Sequence, residues 1–410
     1  MINKNGDRAL AHIQKIVDIQ PIEGADRIEV ATVLGWKVVV AKADNFNIGD
    51  KVVYIEIDSK VPETNPVFDF LKDRHYRVKT IRLKGQYSQG LIMPISKFKE
   101  LENKNLEVND DVTDLLGITY YIAEDNKRKA KAPDKYARFN RIAARHPKLA
   151  KTKLWKWLKK NEWTHKFVFF FLDRGKKLDD NYFPKKFQYI KKTDEERIEN
   201  CPYMLENNDP WVKTTKVDGT SATYILERKG RNKFEFTVYS RNVRMKTDTQ
   251  PNAHSNTENV YWDIAYKYEI EDFLKNFMKL REKLGDILDY VCIQGEIAGP
   301  GIQTNRHNLS EVRFFAFNFI DSSLGRWGSV QGKELWENSS DTLNREWVPI
   351  IDSNYYLPKD LEEFKQTADG PCEVKGSSGL REGYVYRSLD GKMSFKNVSR
   401  KYLLKEKEDA

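Results

Sequence analysis

The tetrapeptide K-V-D-G at residues 216–219 stands between two strand-like runs and constrains the fold around it. Residues 211–215 lead into it and residues 220–227 leave it, and both runs are rich in the β-branched and aromatic residues that strands favour. Gly219 favours a tight turn and lets other backbone approach closely. The pattern predicts that Lys216 is presented from a turn between two strands, which is a position suited to a nucleophile.

Further motifs follow this turn in a fixed order, and the order matters more than any one of them. They are S-R-N at 240–242, G-E at 295–296, a strand-like run at 313–320, E-G-Y-V at 382–385 and S-F-K at 394–396. Taken alone, K-V-D-G is equally well explained as an ordinary hairpin. A lysine attacks phosphorus only as the free amine, so a catalytic Lys216 needs burial or cationic neighbours that lower its pKa.

This series resembles the nucleotidyltransferase superfamily, which contains DNA ligases, RNA ligases and mRNA capping enzymes, over about residues 185–405. The resemblance implies that Lys216 attacks the α-phosphorus of ATP and forms a phosphoramidate with AMP. It implies that Glu382 binds Mg²⁺ (or Mn²⁺), a hard cation that prefers carboxylate and phosphate oxygens. Glu296 would hold the ribose hydroxyls, Arg241 would contact ribose or phosphate, and Phe317 would stack on the base.

The last motif departs from the pattern of that superfamily. Lys396 would neutralise the α-phosphate and help to keep Lys216 uncharged. The family often carries a second lysine two residues later, but here Asn397 and Val398 follow. Lys401 or Lys392 would then supply the second cation, and Lys401 is the candidate adopted, with Asp218 of K-V-D-G as a further nucleotide contact.

Residues 1–118 read as short strands separated by turn signals and predict a small closed β-barrel of the OB type. The predicted strands span residues 12–22, 28–34, 36–42, 51–57 and 76–83. A basic aromatic strip begins in the last of them and is made of Arg77, Lys79, Arg82, Lys84 and Tyr87. This strip is suited to a phosphate backbone, although a solvated sheet face explains the alternation equally well.

Residues 119–184 form a basic linker or insertion. Between residues 127 and 160 there are fourteen Lys or Arg residues and one acid, Asp134. Residues 147–161 predict an amphipathic helix. The segment is read either as a phosphate-gripping element held by counterion release or as a solvated helical connector.

Residues 185–410 predict an α+β catalytic domain with an ATP-grasp-like antiparallel sheet. A helix is expected at 262–284, with strands at 290–297, 312–320 and 383–388. A barrel placed ahead of this domain resembles RNA ligase family 5, the ATP-dependent RNA ligases with an N-terminal OB domain. The shared segments are L-G-W at 34–36, I-E-I-D at 55–58, S-Q-G-L at 88–91, K-T-D-E at 192–195, G-P-G-I-Q at 299–303 and S-F-K at 394–396.

The resemblance implies an ATP-dependent RNA ligase that moves AMP from Lys216 to an RNA 5′-phosphate and seals it to a 3′-hydroxyl, at breaks or at nicks in a duplex. A DNA ligase, a GTP-using guanylyltransferase and a non-catalytic RNA-binding protein remain alternatives. The net charge of +9 suits a polyanionic partner. Three unpatterned cysteines and the lack of a signal peptide or membrane span indicate a soluble, cytoplasmic protein, expected to be a monomer.

Overall fold

The computed structural model describes residues 1–2, 7–121, 152, 155, 157–158, 161, 186–245 and 259–405. The chain divides into two compact units, Met1–Tyr121 with Phe183–Ala410, and Ile122–Tyr182. The predicted basic segment and its helix at 147–161 fall almost entirely outside the described residues. Within the described residues, no helix is long and apolar enough to cross a membrane.

The N-terminal part is an antiparallel sheet rolled toward a barrel. Its strands are β1 Ala11–Pro21, β2 Ile28–Val33, β3 Trp36–Ala41, β4 Lys51–Ile55, β5 Ser59–Lys60, β6 Arg77–Val78, β7 Ile81–Leu83, β8 Gln86–Ser88, β9 Leu91–Pro94 and β10 Thr119–Tyr120. The main sheet runs β3-β2-β1-β4-β9, and β10-β5-β6 form a smaller one. The Gln89 N–H donates to the Lys37 carbonyl and so joins β3 to the segment before β9.

Four of the five predicted barrel strands are confirmed to within two residues, and the fifth is wrong. Residues 76–83 are split between β6 and β7, which lie in different sheets, and β9 supplies the fifth strand of the main sheet. Tyr76 has a φ of 57°, a left-handed conformation that a regular strand does not contain. Short 3-10 helices connect the strands at Lys42–Asp44, Pro66–Arg74, Ile95–Lys97 and Lys99–Leu101.

The C-terminal part contains two antiparallel-rich sheets. Its strands are β11 Glu196–Arg197, β12 Trp211–Lys216, β13 Thr220–Gly230, β14 Lys233–Ser240, β15 Tyr290–Ala298, β16 Arg313–Asp321, β17 Gly325–Arg326, β18 Glu346–Trp347, β19 Ile350–Tyr355, β20 Gly383–Ser388 and β21 Ser394–Val398. One sheet has the order β11-β21-β20-β12-β19, and the other has the order β14-β13-β15-β16-β17, with β18 beside β16. Because β12 belongs to one sheet and β13 to the other, the K-V-D-G turn lies where the chain passes between the two sheets.

Helices cover the outer faces of these sheets. They are α1 Val260–Lys267, α2 Ile270–Lys283, α3 Ser329–Glu337, α4 Leu361–Gln366 and α5 Arg400–Lys405, with 3-10 helices at Ile198–Asn200 and Pro202–Glu206. Phe273 and Phe277 of α2 pack edge-on against Phe319 of β16. The predicted single helix at 262–284 is two helices, because Glu269 between them takes a φ of 49°, which a continuous right-handed helix cannot accommodate.

The barrel and the catalytic sheets belong to the same compact unit and are joined by buried polar contacts. Trp36 Nε1 donates to Asn200 Oδ1 at 2.5 Å, and Asn200 Nδ2 donates to Glu56 Oε1 at 2.9 Å. Arg197 of β11 reaches Asp58 of the barrel at 3.3 Å. These contacts place the barrel beside the strand pair that carries Lys396, since Arg197 lies opposite Lys396 in the sheet.

Candidate active site

Lys216 ends β12 and lies at the head of a cleft between the two sheets. Its backbone pairs with Gly383 of β20, so the residue before that glycine, Glu382, is brought to the lysine side chain. Lys216 Nζ donates to a Glu382 carboxylate oxygen at 2.7 Å. The predicted nucleophile and the predicted metal ligand are therefore direct neighbours.

The two motif glycines are required by this close approach. A Cβ at Gly219 would overlap the Ile297 carbonyl, and a Cβ at Gly383 would overlap the Asn397 carbonyl. Any side chain at either position would push the neighbouring strand away. The glycines thus allow strand neighbours to meet on both sides of Lys216.

The structure places four of the eight predicted site residues, Lys216, Glu296, Phe317 and Lys396, in the lining of one cleft. Its lining comprises Thr193, Asp194, Glu195, Thr214, Thr215, Lys216, Val217, Glu296, Phe317, Val348, Val385, Arg387 and Lys396. Phe317 and Val385 supply apolar surface of the kind that stacks on a base. Lys216, Glu296 and Lys396 supply charges that suit a ribose and its phosphate.

Two predicted cations meet at an acid that the motif assignment did not single out. Arg241 forms an ion pair with Asp194, and Lys396 Nζ lies 3.9 Å from the same carboxylate. Both cations lower the pKa of Asp194, although burial alone would raise it. Asp194 belongs to the K-T-D-E segment, which contributed to the family resemblance but did not predict that Asp194 contacts Arg241 and Lys396.

Lys401 does not join this group. It lies on α5 with 65% of its side chain exposed, and its nearest acid is Asp369 at 3.6 Å. Lys392 is also exposed and pairs with Asp390 at 3.1 Å. Neither lysine lines the cleft. Among the described residues, the positive charges near Lys396 include Arg197, which lies opposite it in the sheet, and Arg241, which shares Asp194 with it.

Three acids crowd around Lys216 and set its protonation. Burial alone would lower the pKa of Lys216, but the carboxylates of Glu382 and Glu296 raise it above its usual value. Burial, with Glu382 and Asp218 nearby, raises the pKa of Glu296 to about 8. The expectation that cations would lower the pKa of Lys216 is not met in the structure, where carboxylates surround the amine and favour its charged form.

Lys396 behaves in the opposite way. Burial, assisted by the positive charges of Arg197 and Lys216, lowers the pKa of Lys396 to about 8, although Asp194 opposes the change. Because the charged form of Lys396 is disfavoured by burial, a phosphate bound beside it would stabilise that charged form. This supports a phosphate position between Lys396 and Lys216.

The turn itself is held from two sides by residues that the motifs did not identify. The Asp218 N–H donates to His307 Nε2 at 2.8 Å, and Tyr402 OH donates to Asp218 Oδ2 at 2.6 Å. Gln303 donates to the Gly219 carbonyl. Gln303 lies in the G-P-G-I-Q segment and His307 follows it closely, whereas nothing in the sequence pointed to Tyr402.

A divalent cation fits the chemistry of this donor set. Burial is the main cause of the raised pKa values of Glu296 and Glu382, and the nearby Asp218 carboxylate adds to both. A cation bound beside these groups would favour their charged forms. The described residues contain no group of three or more such side chains arranged to enclose a metal. That is compatible with Mg²⁺, which usually binds one or two carboxylates together with phosphates and water.

The barrel strip is largely engaged within the protein. Tyr87 lies between Arg82, 5.3 Å from its ring centroid, and Arg400 of α5 at 4.7 Å. Arg77 stacks on Tyr121 at 4.3 Å and pairs with Asp58. The prediction that this strip tracks a phosphate backbone is untested, and much of its charge and ring surface is used in these contacts.

Comparisons with known proteins agree with this arrangement. A family model described as an OB-fold domain matches residues 10–95, and a family model described as RNA ligase matches residues 209–405. Among curated protein sequences, none is similar enough to match this chain.

Solved structures of an RNA ligase from Naegleria gruberi are similar over nearly the whole chain. The complex with PPi is 28% identical, with a TM-score of 0.71, and covers 98% of this chain and 100% of its own. A lysine-to-alanine variant with ATP and Mn is 29% identical, with a TM-score of 0.69, over 97% of this chain and 99% of its own. A glutamate-to-alanine variant with AMP and Mn has the same identity and TM-score over 98% and 100%.

Proposed function

This chain belongs to the RNA ligase family, with an OB-fold domain ahead of its catalytic domain, and we propose that it joins RNA ends through an AMP adduct on Lys216. The protein is an ATP-dependent RNA ligase that works through a lysyl-AMP intermediate. The observation that carries the assignment of Lys216 is its place where the chain passes between two sheets, beside Glu382 and in the lining of a cleft with Glu296, Phe317 and Lys396. We assign residues 1–118 to the OB domain and 185–410 to the catalytic domain.

In the first step, Lys216 Nζ attacks the α-phosphorus of ATP. A bond forms between Nζ and the α-phosphorus, the bond from the α-phosphorus to the bridging oxygen of the β-phosphate breaks, and pyrophosphate leaves. The attacking nitrogen then loses one proton and becomes the neutral nitrogen of a phosphoramidate. The ammonium form seen beside Glu382 must lose a proton before it can attack. We propose that Lys396 neutralises the α-phosphate, that Glu296 holds the ribose and that Phe317 stacks on the base.

Glu382, with Asp218 and Glu296 close by, would hold the divalent metal. When bound, such a metal supplies positive charge at the phosphates and competes with Lys216 for the carboxylates. The Glu382 and Glu296 carboxylates raise the pKa of Lys216, so a positive charge held by them would favour release of the lysine proton.

The later steps act on RNA, which is the polymer substrate of this family. We propose that an RNA 5′-phosphate takes AMP from Lys216 and that a 3′-hydroxyl then displaces AMP, which forms a 3′–5′ phosphodiester. We also propose that the enzyme acts as a monomer in the cytoplasm, where its three cysteines would stay reduced; all three are free thiols in the structure.

Transfer of label from α-phosphate-labelled ATP to the protein tests this assignment. The wild type should form a covalent adduct with Mg²⁺, and Lys216→Ala should form none. Lys233→Ala, which removes an exposed lysine of the same domain, should label like the wild type. Label on Lys216→Ala would contradict the assigned nucleophile.

The ends and the polymer are tested separately with the unlabelled wild type. RNA that carries a 5′-phosphate and a 3′-hydroxyl should be joined, and it is offered both as a nicked duplex and as single strands. Replacing the RNA strand that carries the 3′-hydroxyl with DNA distinguishes a DNA ligase. Replacement of ATP by GTP distinguishes a guanylyltransferase. RNA binding of equal strength by wild type and Lys216→Ala, with no adduct on either, would indicate a non-catalytic binding protein.

A further inference from the structure

The far end of the cleft holds a buried ion pair that the proposed reaction does not use. Arg387 of β20 is 3% exposed, and its Nη2 donates to Glu195 Oε1 at 3.0 Å. Both residues line the cleft with Phe317, and the Arg387 guanidinium carbon lies 5.7 Å from the centroid of the Phe317 ring. A charged donor is thus fixed beside the surface on which the base would stack.

Arg387 is not fully satisfied by this pairing. Its Nε is buried and has no hydrogen-bond partner among the described residues. Burial lowers the pKa of Arg387 to about 10 even though Glu195 stands beside it. Glu195 is itself held in place, because its other oxygen accepts from Ser394 Oγ. Buried donors without partners are uncommon and costly, so an acceptor on a bound ligand would be favourable here.

The strand geometry sets which part of a nucleotide would meet this donor. Gly383, Val385 and Arg387 alternate along β20 and therefore share one face. Gly383 pairs with Lys216, and Arg387 lies four residues further on, about 13 Å along the strand. A nucleotide with its phosphate at Lys216 and its base beside Phe317 and Val385 would point the base edge furthest from the ribose toward Arg387.

On a purine, that edge carries position 1 and the substituent at position 6. Adenine presents an acceptor, N1, beside an amino donor. Guanine presents the reverse, a donor N1–H beside a carbonyl acceptor. An arginine N–H beside a carboxylate oxygen offers one donor and one acceptor in a fixed order. With the donor facing N1 and the acceptor facing the substituent at position 6, this pair complements adenine and places like groups against guanine.

We propose that Arg387, held by Glu195, is the residue that selects adenine, by donating its Nε–H to N1 while Glu195 accepts from the 6-amino group. This inference rests on the proposed function, because it places the α-phosphate at Lys216. It assigns Arg387 a role in nucleotide binding rather than in the attack on phosphorus. Loss of the contact should therefore raise KM and leave kcat nearly unchanged.

The first test uses the full-length wild type with ATP analogues, and measures KM and kcat for adduct formation. 1-Deaza-ATP lacks the acceptor that Arg387 would read, and 7-deaza-ATP keeps it. We expect KM to rise on the order of 10- to 100-fold for 1-deaza-ATP, which corresponds to one charge-assisted hydrogen bond, and to change little for 7-deaza-ATP. Equal use of ATP and 1-deaza-ATP would overturn the inference.

The second test uses Arg387→Lys, which keeps a positive charge for Glu195 but removes the Nε–H. In this variant KM for ATP should rise to the level that the wild type shows for 1-deaza-ATP, and the two nucleotides should become equivalent. Arg326→Lys is the matched control, because Arg326 donates to the same Ser394 but does not line the cleft. An unchanged ratio in Arg387→Lys would also overturn the inference.

Failure of the proposed function gives a different result. If the wild type forms no adduct with ATP, neither assignment stands. If it forms the adduct with ATP but does not distinguish the deaza analogues, only the role of Arg387 is lost. Should Arg387→Lys not fold, the two analogues on the wild type decide the matter alone.

Discussion

At the scale of single residues, the active site is a balance of buried charges. Lys216 has one direct partner, Glu382, and two further acids within electrostatic reach. Such a cluster is costly in the empty enzyme, because burial removes water from every charge. Burial raises the pKa of the Glu296 and Glu382 carboxyl groups, and this makes the free energy of unfolding depend on pH.

Glu296→Gln should stabilise the ligand-free protein at pH 8. The pKa of Glu296 is raised by burial from 4.5 to about 8 in the folded state. Between these values the folded state keeps a proton that the unfolded chain has lost, so the stability of the wild type falls as pH rises through this window. Glutamine has no proton to lose. Its free energy of unfolding should exceed that of the wild type by about 1–3 kcal/mol at pH 8 and match it below pH 4.5.

Urea unfolding at the two pH values measures this difference. Glu363→Gln, at an exposed position on α4, is the control and should show no such gap. A Glu296→Gln variant that is less stable than the wild type at pH 8 would mean that pairing with Lys216 outweighs the cost of burial.

At the scale of elements, the K-V-D-G turn is positioned by segments from distant parts of the sequence. The loop that contains Gln303 and His307 holds one side of the turn, and α5 holds the other through Tyr402. Tyr402 is 6% exposed and its ring lies under Arg306 at 4.7 Å. The Asp218 carboxylate is therefore fixed by a helix that begins two residues after β21.

Tyr402→Phe should slow self-adenylation by roughly 5- to 20-fold, because it removes one hydrogen bond to a carboxylate while keeping the ring. KM for ATP should stay nearly constant, since Tyr402 does not line the cleft. Single-turnover labelling measures the rate, and Tyr356→Phe, at a tyrosine that is 60% exposed, is the control. A wild-type rate in Tyr402→Phe would show that the turn is held without this bond.

The elements also show how far the sequence could predict this protein. Strands β1 to β4 were predictable because each is a run rich in Val, Ile or Tyr that is bounded by turn residues. Strand β9 was missed because its four residues, Leu91–Pro94, are too few to show a period. The split between α1 and α2 depends on the φ of one residue, Glu269, which apolar spacing does not report.

The motif residues were predictable from their order, but their partners were not. Asp194 meets Lys396 because it precedes β11, which pairs in parallel with β21 although about half of the chain separates the two strands. Arg241 reaches the same carboxylate from the end of β14 in the other sheet. The ammonium state of Lys216 likewise depends on three carboxylates converging in space. Which carboxylates converge depends on how distant strands pair, and that pairing could not be read from the sequence alone.

At the scale of the whole molecule, the barrel and catalytic domain should unfold as one unit. Asn200 bridges Trp36 and Glu56 of the barrel through both ends of its amide. Asn200→Ala leaves the buried Trp36 indole N–H without its partner and removes one of several hydrogen bonds to Glu56, so it should lower the free energy of unfolding by about 1–3 kcal/mol. Asn338→Ala, at an exposed position, is the control. Calorimetry should show one transition for all three proteins, and two transitions in the wild type would contradict a single unit.

The basic segment offers the last prediction, which concerns RNA rather than ATP. Deletion of residues 127–160 removes fourteen positive charges and one negative charge. Because phosphate contacts by Lys and Arg release counterions, the deletion should weaken RNA sealing roughly tenfold or more near physiological salt and flatten its dependence on salt concentration. Self-adenylation needs ATP, Mg²⁺ and the cleft around Lys216 but no RNA, so it should be spared. Exchange of the lysines in this segment for arginine keeps the charge and serves as the control. Equal loss of labelling and sealing after the deletion would mean that the segment stabilises the enzyme and does not act by binding RNA.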